Sequence, residues 1–151
     1  MRRILLMLLA LLPAAALSGV PLQATLEELA KGADHIFVGR INGVDMIDRS
    51  GAQIIDREAQ TGPGMGTQIR LNIEIDEVVS SKAKVVPKAI RVPLDSALHY
   101  SLGQIRDAHA EVSPQLLVFL KGPRFEPIKP GVFLRPLSEK EATLKIRRST
   151  Q

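Results

Sequence analysis

Ile69-Arg70-Leu71-Asn72-Ile73-Glu74-Ile75-Asp76 is the stretch that decides the fold. Ile69, Leu71, Ile73 and Ile75 alternate with Arg70, Asn72, Glu74 and Asp76, so in an extended chain one face is apolar and the other wet. That pattern describes a half-buried antiparallel strand. Working outward, His35 to Ile41 is β-branched and aromatic enough for a strand, with Asn42-Gly43 weakening or turning it. Ile90, Val92 and Leu94 alternate again. Leu116 to Leu120 is short and continuously apolar, as expected of a central strand covered on both faces. Val132 with Leu134 and Leu144 with Ile146 read as two closing strands, and Gln53 to Ile55 as part of a short hairpin. Thr25 and Glu28 make a capping box for a short N-terminal helix ended at Gly32, and Ser101 to Ala110 fits a helix before the central strand. The fold class is therefore mainly β: a small, partly closed antiparallel barrel of five to seven strands, since closure removes exposed edges.

The first 24 residues read differently. Arg2 and Arg3 precede an unbroken apolar run from Ile4 to Leu12, and a small-residue stretch follows to Ala24. Those are the three parts of a secretory signal peptide, with cleavage expected after Ala24 and Ser18 as the alternative. A membrane span needs about 20 apolar residues, and Pro13, Ser18, Gly19, Pro21 and Gln23 interrupt the run too early. The expected product is residues 25–151 as one exported domain, periplasmic or secreted, with no stable membrane span. The chain has no cysteine, which excludes disulfides and a lipid anchor on a processed N-terminal cysteine.

Without Arg2 and Arg3 the chain carries 18 Lys and Arg against 16 Asp and Glu. Residues 25–80 hold 5 basic and 10 acidic side chains, and residues 121–151 hold 8 and 3. A strand-rich fold can bring such segments together so that they neutralise each other. Lys140, Lys145, Arg147 and Arg148 form the basic region that would meet an anionic membrane or cell-wall polymer. The small charge, with one Tyr and four Phe available for stacking, speaks against nucleic acid.

Ala33 to Ile41, Ile73 to Val79, and Leu116 to Leu120 followed by Lys121-Gly122 resemble a recurrent pattern in small exported bacterial proteins of uncharacterised function. Their layout is similar to oligonucleotide/oligosaccharide-binding barrels of the netrin-like kind, which includes tissue inhibitors of metalloproteinases. The resemblance implies the barrel. Those inhibitors engage a target metal through an N-terminal cysteine that this chain lacks, so their activity does not carry over and no functional residue transfers.

Asp107, His109 and Glu111 are the metal candidates, because in an extended segment all three would point to one face; on a helix they would diverge. Solvated loop polarity is the plainer reading. Ser96, His99 and Asp107 are the only tempting nucleophile, base and acid, without a G-x-S-x-G elbow. Asp45, Asp48, Asp56 and Glu58 lack the calcium-loop spacing, and Gly62 to Gly66 lacks the lysine of a phosphate loop. His35 reads as a structural histidine. The sequence thus assigns no catalytic residue and no cofactor. It favours a noncatalytic binding or accessory module for a protein, peptide or glycan. The alternative is a metal-dependent or hydrolytic enzyme using His99, Asp107, His109 and Glu111.

Overall fold

Four runs of residues in the computed structural model, which describes residues 23–150, set the architecture. β1 (His35–Ile47), β2 (Gln68–Ser81) and β3 (Ala89–Pro93) form an antiparallel meander, and β4 (Leu116–Lys121) pairs with the other side of β1. β5 (Glu126–Pro127) and β6 (Leu134–Pro136) both pair with β4. The strand order is β3-β2-β1-β4-β5, with β6 beside β5 on the outer side of β4. α1 (Leu26–Gly32), α2 (Leu102–Ala108) and α3 (Lys140–Arg148) complete the described chain. The segment expected to be a signal peptide, apart from Gln23 and Ala24, lies outside the described residues.

The chain is mainly β, with an antiparallel six-stranded sheet that does not close among the described residues. β3 and β5 come within 8 Å of each other without pairing, and a cleft of about 190 Å³ lined by Pro93, Leu94, Glu126 and Pro127 lies between them. Pro93 ends one edge and Pro127 occupies the other; neither has an N–H to give to a closing ladder.

Alternating residues of β1 and β4 enter two separate cores. Phe37, Ile41, Val118 and Leu120 join Leu71, Ile73, Ile90, Val92 and Phe133 on the inner face. Ile36, Val38, Leu117 and Phe119 join Leu29 and Ala30 of α1 on the other face, with Ile146 of α3 against them. Coverage on both faces explains the unbroken apolar run of β4. On β2 Leu71 and Ile73 are buried, whereas Arg70 and Asn72 on the other face are partly exposed and Glu74 is exposed. Asp45, in register with Arg70, accepts from its Nε at 2.7 Å and its Nη2 at 2.9 Å, and Arg91 of β3 approaches to 3.2 Å.

β1 does not stop at Asn42-Gly43. Register shifts at Val38/Gly39 and Ile41/Gly43 let it continue to Ile47, and a Cβ on Gly39 would stand 2.6 Å from the Glu74 carbonyl oxygen. The closing strand expected at Leu144 and Ile146 is instead α3. Lys140, Glu141, Ala142 and Lys145 are good helix formers, and Arg147 fastens the helix by donating to Ala30 O and Ala33 O, each at 3.3 Å, at the end of α1.

Candidate functional site

The polar groups singled out from the sequence do not converge. Asp107 lies in the last turn of α2 and accepts from Arg57 Nη2 at 2.6 Å. His109 caps that helix through its backbone N–H, and Glu111 follows in an exposed segment. The extended geometry that would align the three is absent because the segment begins as helix. Among the described residues no group of three or more His, Asp or Glu side chains is placed to hold a metal ion. Ser96 sits in a turn where Asp95 Oδ1 accepts from Ala97 N at 2.9 Å, and His99 packs on Gly62, so neither meets Asp107. Asp45 is spent on arginines, Asp48 on Ser50 and Ala52, and Asp56 on the Glu58 N–H.

The basic C-terminal region is likewise largely committed. Lys140 Nζ reaches both oxygens of Glu77 at 2.7 Å, and Arg147 is engaged with α1 and with Ser80 Oγ at 3.0 Å. Lys129 stands 3.6 Å from Glu28, a further pairing of the basic end with the acidic one.

A better-organised site lies where β1 begins. His35 is 3 % exposed, and its ring is held from both ends: Nδ1 is 2.8 Å from Ser81 Oγ, and Nε2 donates to Gly122 O at 3.0 Å. Ser81 Oγ also accepts from Ala83 N at 3.1 Å. Asp34 works in parallel, accepting from Lys82 Nζ at 2.6 Å and from Gly122 N at 2.9 Å. The Lys82 ammonium and then the Gly122 N–H hold its carboxyl below the usual aspartate value. These two adjacent residues therefore tie the β2–β3 loop to the β4–β5 turn.

On that turn Phe125 has φ +55, the one non-glycine residue with positive φ among the described residues. An aromatic side chain in this region is strained, and such strain persists only where the surroundings over-determine it. Here the Phe125 ring lies 4.6 Å from the His35 ring and 5.9 Å from Phe37, and its N–H donates to Gly122 O at 3.2 Å. The result is a surface cleft of about 350 Å³. Phe125, Pro123, Ala83 and Val85 form its apolar wall, and Asp34 with Lys82 forms a charged rim. Val85 is 81 % exposed. Both ring nitrogens of His35 are already bonded, so the cleft offers a place for an apolar group and a charge partner rather than a base or nucleophile.

The sequence signal for this site is slight: a Gly-Pro turn at Gly122-Pro123 followed by an aromatic, and Val85-Val86 inside a lysine-rich stretch. Nothing local announces that Phe125 takes a positive φ. No family model matches this chain, and neither a curated protein nor a solved structure matches it.

Proposed function

We propose that the chain is an exported, noncatalytic binding module whose ligand-facing surface is the cleft of Phe125, Val85, Asp34 and Lys82. The observation that carries this reading is Phe125: a strained aromatic held on a saturated histidine beside a largely exposed valine. Strain at an exposed turn is retained where it positions a side chain for contact. An apolar anchor from a protein or peptide would fill the wall, and a charge on the segment would meet Asp34 or Lys82. The sheet is read as an incompletely closed barrel of the oligonucleotide/oligosaccharide-binding style, its gap kept by Pro93 and Pro127. Residues 1–24 are read as the signal peptide, processed after Ala24 or after Ser18.

Panning a displayed peptide library against the immobilised chain tests the site. Enrichment of sequences with an apolar anchor, lost in Val85→Asp and Phe125→Ala but kept in His109→Asn, is the expected result. Enrichment that ignores both cleft substitutions, or none at all, overturns the assignment. Intact mass of the exported product decides the processing site.

A further inference from the structure

The opposite end of the sheet holds a thioether and an imidazole against one bare glycine. Two short segments are stitched together there. Thr61 is 1 % exposed; its N–H donates to Tyr100 O at 2.9 Å and its hydroxyl to Leu98 O at 2.7 Å, while Gln60 bridges to Ser101. This pairing places His99 directly over Gly62. From Gly62 the chain turns through Pro63 and Gly64, whose φ is +79, and Met65 N–H donates back to Gly62 O at 3.1 Å. Proline second and positive-φ glycine third are the marks of a type II turn, which fixes where Met65 emerges.

A Cβ on Gly62 would stand 2.7 Å from His99 Nδ1 and 3.2 Å from Met65 Sδ, so the two atoms lie close to one point and are less than about 6 Å apart. A metal bonded to nitrogen at about 2.0 Å and to sulfur at about 2.3 Å spans up to about 4.3 Å. The three rotatable bonds of a methionine close that difference. Met65 is 51 % exposed, whereas Met46 is fully buried. The chemistry of the pair is selective. Thioether sulfur prefers Cu(I), and imidazole accepts it, whereas calcium and magnesium require oxygen ligands. Arg49, whose Nε would lie 2.9 Å from a Cβ on Gly66, adds positive charge to the same loop, which opposes a divalent ion about twice as strongly as a monovalent one.

We infer that Met65 and His99 form a binding site for a soft monovalent cation, Cu(I), with Ag(I) as its redox-inert equivalent. The site is independent of the Phe125 cleft and of any ligand bound there.

The test titrates the purified chain, methyl-¹³C-labelled at methionine, with Ag(I), and anaerobically with Cu(I) against a chromophoric Cu(I) chelator. One equivalent of Ag(I) shifts the Met65 methyl resonance and leaves Met46 in place. Met65→Leu and His99→Asn each weaken Cu(I) binding by at least about tenfold with unchanged melting temperature. Zn(II) in equal amount does not compete. An unmoved Met65 resonance, binding that survives either substitution, or displacement by Zn(II) overturns the two-residue site.

Discussion

His35 and His99 stand at opposite ends of the same sheet and differ in almost every respect that decides what an imidazole can do. His35 is buried, bonded at both ring nitrogens and stacked among Phe37 and Phe125. His99 is exposed and lies on the bare Cα of Gly62 with a methionine sulfur beside it. A saturated histidine organises the backbone around it; an exposed one beside a soft donor keeps its chemistry for a ligand. The two ends thus divide the work, with rigidity behind the Phe125 cleft and accessible donor atoms at the Met65 loop.

The largest effect that would test this contrast is on stability. His35→Ala takes one hydrogen-bond partner each from Gly122 O and the Ser81 hydroxyl and leaves a cavity, and it is expected to cost roughly 3 kcal/mol in urea unfolding. His99→Ala is expected to stay within about 0.5 kcal/mol. Equal losses at the two positions would remove the distinction. A smaller effect isolates the strain at Phe125. Both Phe125→Ala and Phe125→Gly lose the ring, yet at φ +55 glycine carries no Cβ penalty, so the glycine variant should be the more stable by about 1 kcal/mol. The opposite order would mean that the turn is unstrained.

Acid provides a third probe of the same end. Asp34 has its carboxyl depressed by Lys82 and by Gly122 N–H, so its contribution is present above the ordinary aspartate value of about 3.9 and is lost as pH falls through the lower folded-state value. Wild-type stability between pH 4 and pH 2 should therefore fall more steeply than that of Asp34→Asn, as read by thermal melts. Identical slopes would exclude Asp34 from the tie. The smallest change concerns Arg57 and Asp107, which are both largely exposed: Asp107→Asn should shift stability by less than about 1 kcal/mol, because exposed pairs contribute little.

Several elements were legible because their causes are local. The alternation from Ile69 to Asp76 reports one dry face and one wet face, and Thr25 with Glu28 closes its own reciprocal hydrogen bonds at 3.1 and 2.8 Å. The run from Leu116 to Leu120 announces two covered faces without naming what covers them. Leu144 and Ile146 misled, since an i, i+2 spacing suits a strand; in α3 the buried residue is Thr143, whose hydroxyl donates to Glu139 O at 2.9 Å. The helix-forming composition around them was the better guide. The Asp107-to-Glu111 cluster stands out by residue type alone, whereas Phe125 and Val85 carry no polar signature.

What the amino-acid order determined by itself was periodicity, turns and caps, because those depend on neighbours within a few residues. It also carries the pattern of charge and hydropathy on which the expectation of an export leader rests. Only the tertiary structure decided that His35 is saturated by groups 46 and 87 residues away, that Arg147 secures the end of α1, and that His99 lies against Gly62 near Met65. Each of these juxtapositions is a contact between segments far apart in the chain. They arise from how the separate cores are filled and where prolines leave a sheet open, which no local pattern encodes.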